Sequence, residues 1–326
     1  MTKLLSRNAV AGLMTLPFII PFLQPPQPAQ APVLAPIQTY KMVSYFPIDS
    51  RGMWSDWNAT AIDNDFSRLA SLHATAVRVF LQPSEFGYPN PQPAMLSELA
   101  QVVQMAAQHG MKTYFNLFDG FWSFGDIYGS RTWAKAIVAP YAGGAHAAAF
   151  EVFNEMNPAN TEAVAWASTM IPYIQSIAAG TPVGISVNQG WKLKNLKGSL
   201  GSHQPDFYSF HYYTSLENAQ DHGASDIAGD AAVAAPHPLI VGETGFPTWN
   251  GVFGSGSGSS SAQEADQSSY IAAVEQAAMQ VGVGRAGIYT QNDFSSTQIP
   301  EDERYFGLYR TDGTPKAAVQ TLSTYF

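Results

Sequence analysis

The sequence predicts a single α/β domain, a (β/α)8 TIM barrel. Eight short apolar runs rich in β-branched and aromatic residues recur along the chain, helical periods lie between them, and no strand-to-helix turn carries a glycine-rich phosphate loop of the kind an open doubly wound sheet uses. Strands that alternate with helices demand a parallel sheet, because each parallel crossover needs a connection of helix length.

The chain opens on an address. Lys3 and Arg7 precede an apolar stretch from Ala9 to Leu23, and Ala29-Gln30-Ala31 offers a small-x-small cleavage pattern. Residues 1–31 therefore read as a signal peptide, which implies a secreted or extracytoplasmic protein. The apolar stretch is about fifteen residues, broken by Pro17 and Pro21, against the roughly twenty a spanning helix needs, so no stable membrane insertion is expected. Pro32 follows directly and hinders cleavage after Ala31, which leaves the cut itself open. Residues 32–39 continue a proline-rich run that reads as an extended spacer. What remains, 40–326, is the length of one large barrel domain.

The eight candidate strands are Met42 to Tyr45, Ala76 to Phe80, Thr113 to Leu117, Ala149 to Phe153, Val183 to Val187, Phe207 to His211, Leu239 to Val241 and Gly287 to Thr290. Between them, Leu96, Leu99, Val103 and Ala106 mark one helical face closed by Gly110. Val164, Ala167, Ile171, Ile174 and Ala178 mark a second, and Tyr270, Val274 and Ala277 a third. Gly254 to Ser261 is a Gly/Ser run that reads as a flexible loop between the seventh strand and its helix.

Composition removes whole classes of function. Charged residues make up 13%, about half the usual share, while 46% of the chain is hydrophobic, so a large core is expected and disorder, collagen and coiled coil are excluded. The net charge of −9 comes without a basic run, which leaves nucleic acid without its cations. With no cysteine there is no disulfide framework, thiolate nucleophile or Cys-ligated zinc. Seven scattered histidines form neither HExxH nor a tight His/carboxylate cluster, and no GxSxG elbow occurs. No metal and no cofactor is expected.

In a barrel the chemistry belongs at the carboxyl ends of the strands. The fourth strand runs out through F-E-V-F-N-E and puts Asn154 and Glu155 at its tip, while the seventh, L-I-V-G-E-T-G, puts Glu243 at its tip. Two glutamates facing each other across the barrel mouth suit glycoside hydrolysis. One carboxyl protonates the leaving oxygen and the other attacks the anomeric carbon or activates water. Arg78 interrupts the apolar A-V-R-V-F of the second strand, and a guanidinium buried there needs a carboxylate partner.

Three strings together, F-N-E-M-N-P (153–158), V-G-E-T-G (241–245) and S-F-H-Y-Y (209–213), resemble the clan A retaining glycoside hydrolases, most closely glycoside hydrolase family 5 and its cellulase-like relatives. The tail G-L-Y-R-T-D-G-T-P-K (307–316) is similar to the segment leading into the last helix of many such enzymes. The resemblance implies that Glu155 is the general acid/base, that Glu243 is the nucleophile, and that Asn154 holds the sugar 2-hydroxyl. It further implies that Arg78 keeps Glu243 ionised and that His211 and Tyr213 form the His-x-Tyr of the sixth strand, with Tyr213 bonded to the nucleophile. On this scheme Glu155 carries a proton at rest, its pKa raised by burial and by the charge of Glu243. Carboxyl groups about 5 to 5.5 Å apart and retention of configuration follow.

Aromatic residues after the strands suggest sugar subsites: Trp54 and Trp57, Phe86 and Tyr88, Phe121 and Trp122, Trp191, and Trp249. Trp166 lies inside a helical period and is assigned to packing. The sequence departs from the family at the third strand end, with Asn116 and Asp119 in place of a histidine-bearing motif, and at the eighth, with Tyr289, Gln291 and Asn292 where a tryptophan platform is common. Both departures touch the subsite of the nonreducing-side sugar, and Asn116, Tyr289 and Gln291 are expected to line it. The expected function is a retaining β-glycosidase acting as a monomer on a polysaccharide or oligosaccharide, foremost an endo-β-glucanase. An exo-acting enzyme or transglycosylase of the same clan, and a sugar-binding barrel without turnover, stay open as alternatives.

Overall fold

The computed structural model describes residues 37–48, 52–249 and 261–326. The segment assigned as signal peptide, the start of the spacer and the Gly/Ser run up to residue 260 lie outside the described residues. Eight parallel strands close into a barrel in chain order: β1 (Met42–Ser44), β2 (Ala76–Phe80), β3 (Lys112–Asn116), β4 (Ala147–Glu151), β5 (Val183–Val187), β6 (Phe207–Tyr212), β7 (Leu239–Thr244) and β8 (Ala286–Ile288). Val43 opposite Ile288 makes the closure. Around them run α1 (Ala59–Ser71), α2 (Pro83–Phe86), α3 (Pro93–Gln108), α4 (Ile127–Val138), α5 (Thr161–Ile177), α6 (Leu193–Leu200), α7 (Leu216–Ala234), α8 (Ser261–Gln280) and α9 (Ala317–Tyr325).

Side chains that start the helices act as their caps. Asn58, Asp126, Asn160 and Ser215 each accept a hydrogen bond from the backbone N–H three residues on, which satisfies a donor the helix cannot. The helix α7 showed no apolar period because its buried face is built from Ala219, Gly223, Ile227 and Ala234. Small residues there let the helix lie close to α8; a Cβ on Gly223 would come 3.3 Å from that of Ala277.

Inside the barrel, Met42, Ala76, Tyr114, Ala149, Phe207 and Ile240 form an apolar floor. Phe207 fills the space a Cβ on Gly184 would take, at 2.2 Å. Ile37 packs against this floor from a short 3-10 turn, Ile37–Thr39, so the last residues assigned to an extended spacer belong to the barrel instead. The other face of every strand packs against the helices, which explains why the strands read as continuous apolar runs.

Two register shifts set the site. On β4 the extra residue Ala148 brings Asn116 opposite Glu151, both facing inward. On β7 the extra residue Gly242 brings Glu243 opposite His211, where strict alternation would have turned the glutamate outward. A Cβ on Gly242 would lie 2.0 Å from Ser209 Oγ, so a larger residue there would force the Ser209 hydroxyl to turn aside. The string Gly282-Val283-Gly284-Arg285-Ala286-Gly287 does carry GxGxxG spacing, but it leads from the end of α8 into β8, the reverse of a strand-to-helix phosphate loop.

Candidate active site

The polar residues of β2, β3, β4 and β5 meet above the apolar floor around one guanidinium. Arg78 is fully buried, and its Nη2 donates to Glu151 Oε1 and Asn154 Oδ1, both at 2.9 Å, while Nη1 donates to Glu243 Oε1. Its ring neighbour is Phe80, 4.4 Å from the guanidinium carbon to the centroid. Burial opposes the charge of Arg78, but Glu151 and Glu243 outweigh it and hold its pKa above the ordinary value.

Glu151 is also fully buried, and four donors satisfy it. Besides Arg78 these are Tyr114 Oη at 2.5 Å, Asn116 Nδ2 at 2.8 Å and Ser186 Oγ at 2.7 Å. Ser186 Oγ in turn accepts the backbone N–H of Glu155 at 2.9 Å. This chain of bonds fixes the turn that carries Glu155, whose φ of 55° is left-handed for a side chain with a Cβ. The pairing of β4 therefore ends at Glu151, two residues before the expected end, and Asn154 and Glu155 sit in the turn beyond it.

Glu243 faces three partners. Besides Arg78, Tyr213 Oη donates to its Oε2 at 3.0 Å, and His211 Nδ1 lies 3.4 Å from the same oxygen. Burial first, then the charge of Glu243, pushes the Tyr213 phenol up, so it stays a donor. His211 is buried and its Nδ1 is 2.7 Å from Glu155 Oε1. Burial lowers the His211 pKa, yet the charge of Glu243 and the bond to Glu155 raise it further, for a net rise.

The expectation that Glu155 is raised at rest is not what the structure gives. Burial does push it up, but the hydrogen bond and charge of His211, with Arg78 beyond, pull its pKa below the ordinary value. Its side chain is 37% exposed and reaches the open side of the site. Glu155, His211 and Glu243 bring one ligand-type atom each within 4.8 Å of one another. Folding thus assembles a His/carboxylate cluster that the scattered histidines of the sequence did not reveal. Arg78 bonds Glu243 in this cluster, and His211 bonds Glu155.

Several residues expected to touch sugar are structural. Asn116 is buried and spends its amide on Glu151. Gln291 is buried and donates to the Asp65 carbonyl at 2.8 Å, and Asn292 donates to the Asp65 carboxylate at 2.9 Å, so the two bolt the end of β8 to α1. Trp54 is 3% exposed, donates Nε1–H to the Phe80 carbonyl at 2.7 Å, and stacks on Trp57. It is core, as are Phe86 and Phe121. Trp166 packs among Phe118, Phe121, Phe124 and Phe153, as its helical spacing implied. Tyr289 is half-buried at the site, where Phe306 touches both its ring and that of Tyr213. Trp249 is half-buried, while Trp122 and Trp191 are 81% and 68% exposed.

Glu151, Tyr114, Ser186 and Gln82 were missed. The one signal for Glu151 was a carboxylate inside an apolar strand, matching the arginine inside β2. Gln82 donates to Asp119 at 2.8 Å, which places Asp119 beside Asn154 at the third strand end.

The family model for cellulase, glycosyl hydrolase family 5, matches residues 41–283. No curated protein matches the chain. Among solved structures, an exo-β-1,4-mannosidase from Opitutaceae bacterium strain TAV5 is 18% identical with a TM-score of 0.72, over 90% of this chain and 61% of that one. The chain thus spans less than two thirds of that enzyme's length. A GH5_18 protein from Streptomyces cattleya in complex with GlcNAc is 18% identical with a TM-score of 0.71, over 88% of this chain and 80% of that one. A β-glucuronidase from Ruminococcus gnavus in complex with D-glucuronic acid is 17% identical with a TM-score of 0.65, over 88% of this chain and 49% of that one. These likenesses show the shared barrel.

Proposed function

Since the chain belongs to glycosyl hydrolase family 5 and is a glycoside hydrolase, we propose that it cleaves β-glycosidic bonds by double displacement, with Glu243 as nucleophile and Glu155 as acid/base. The observation that carries this is the approach of the two carboxylates through His211, with oxygens within 4.8 Å of each other. Carboxylates this near each other favour the roughly 5 to 5.5 Å arrangement of a retaining pair over the roughly 6.5 to 9.5 Å that leaves room for an attacking water. In the first step Glu243 forms a bond to the anomeric carbon as the bond to the leaving oxygen breaks, and a proton passes from Glu155 to that oxygen. In the second, water attacks the same carbon, its proton goes to Glu155, and Glu243 is released. For the first step the proton must sit on Glu155, and His211 Nδ1, 2.7 Å from Glu155 Oε1, is placed to pass it there.

Arg78 and Tyr213 hold the Glu243 carboxylate before it attacks and as it is released, and the Asn154 side chain, oriented by Arg78, meets the sugar 2-hydroxyl. The substrate is an extended β-glucan cleaved internally. This reading is supported by the cellulase description of the family and by the exposed Trp122 and Trp191 on the loops flanking Glu155's own, which extend the apolar rim beyond one sugar. The exo-acting alternative draws on the likeness to the mannosidase. Hydrolysis of β-glucans, mannans, xylan and nitrophenyl glycosides, run beside Glu243→Ala, tests the reading. A ladder of oligosaccharides from β-glucan that the variant does not release supports it, single sugars released from one end point to exo action, and no release overturns it. Export follows from the basic, apolar and small-residue order of the N-terminus, and N-terminal sequencing of the mature protein tests it.

A further inference from the structure

A groove of about 500 Å³ is lined in part by the loop that carries Glu155, and of its lining residues only Trp191 has been given a part so far. One wall is Asn157, Pro158 and Ala159, on the loop that carries Glu155. The other is Trp191, Lys192 and Lys194, on the segment that leaves the neighbouring strand β5. Trp191 is 68% exposed, yet its ring is held: Nε1–H donates to Gln189 Oε1 at 2.7 Å, and the Lys192 ammonium lies 5.4 Å from its centroid. An indole fixed in water with its N–H already satisfied has only an apolar face left to offer, which suits the apolar face of a sugar ring.

The charge of the groove runs against that of the chain. Acidic residues outnumber basic ones 25 to 16 overall, but the groove is lined by two lysines and no carboxylate. Lys192 is anchored through Asn188 Oδ1 at 2.8 Å, and the exposed Lys194 stands on the first turn of α6. We propose that this groove binds the leaving-group side of the substrate at a sugar unit bearing a carboxylate, with the ring on Trp191 and the carboxylate at Lys192 and Lys194. The direction rests on the reading of Glu155 as the acid, because the acid stands on the leaving-group side of the scissile bond, and Asn157 of this groove is two residues on from it. The substrate class is thereby narrowed from a plain β-glucan to a glucan-like β-glycan whose chain also carries uronate units.

The test compares cellobiose with glucosyl-β-1,4-glucuronic acid, which differs from it only by a C6 carboxylate on the reducing-end, leaving-group unit, by calorimetry on the full chain carrying Glu243→Gln. The acidic sugar is expected to bind roughly three- to tenfold more tightly, the worth of one or two exposed ion pairs. The preference should shrink with added salt and vanish in the double variant Lys192→Ala, Lys194→Ala, while Trp191→Ala weakens both sugars. Equal binding of the two sugars, or a preference that survives loss of both lysines, overturns the proposal. Wild-type hydrolysis of neutral β-glucan is measured alongside. Turnover without a lysine-dependent acidic preference sinks the groove's role alone. Lysine-dependent binding in a protein that turns over no β-glycoside upholds the groove and sinks the catalytic reading.

Discussion

Replacing Glu151 with alanine should destabilise the barrel far more than a change at the exposed surface. In the wild type its carboxylate accepts from Arg78, Tyr114, Asn116 and Ser186, all inside the barrel. Arg78 Nη2 keeps Asn154 Oδ1, and Ser186 Oγ keeps the Phe153 carbonyl at 3.3 Å, but the Tyr114 hydroxyl and the Asn116 amide lose their acceptor. Two buried donors left unmade cost about 1–3 kcal/mol each, so the loss is about 2–6 kcal/mol before any cavity is counted. That is a large part of the roughly 5–15 kcal/mol that keeps a domain folded. At about 2–4 °C per kcal/mol for a chain of this size, the melting temperature should fall on the order of 10 °C. Scanning calorimetry of Glu151→Ala beside the exposed control Asp221→Ala reads this directly. Glu151→Gln keeps the Oε1 acceptor for Arg78, Asn116 and Ser186, and should recover most of the loss. If Glu151→Ala melts with the surface control, the buried network does not hold the site and the reasoning fails.

Other perturbations separate chemistry from packing. Glu155→Gln should lower kcat on an unactivated glucan by about 10²–10⁴, but far less on a dinitrophenyl glycoside whose leaving group needs no proton; equal losses on both would contradict its role as acid. The Glu155–His211 pair makes stability depend on pH on both sides. Glu155 is lowered from 4.5, so its contribution is complete above that value and disappears as pH falls through the folded pKa; His211 is raised from 6.5, so its contribution is complete below 6.5 and disappears as pH rises through the folded pKa. The imidazole followed by NMR should therefore titrate above 6.5 and drop in Glu155→Gln, whereas a midpoint at or below 6.5 would refute the pair. Trp54→Ala should cost about 3–5 kcal/mol as a core deletion, while Trp122→Ala should leave stability within about 0.5 kcal/mol and weaken glucan binding; the reverse pattern in melting and binding would return Trp54 to the sugar site.

The barrel was legible because the eight strands are buried on both sides and so read as apolar runs, and because Gly110 closes the helical face of Leu96, Leu99, Val103 and Ala106. Glu155, Glu243 and Arg78 stood out as charges at or inside such runs. What pattern could not show was direction. Strict alternation turns Glu243 outward, and it faces His211 only through the extra residue Gly242. Asn116 and Gln291 sit at strand ends like substrate ligands, yet both point into buried networks, and Trp54 turns into the core. Position on a strand tip says which residues are near the mouth. Whether each faces sugar, a helix or another polar group depends on contacts far apart in sequence, such as Arg78 with Glu151.

The central claim is that Glu243 and Glu155 act together at retaining distance. Proton NMR of the first product released from a β-linked oligosaccharide tests it most directly, read before mutarotation scrambles the anomers. The account predicts that the β-anomer appears first and the α-anomer grows only by equilibration. Initial formation of the α-anomer would mean direct attack by water and would contradict Glu243 as nucleophile.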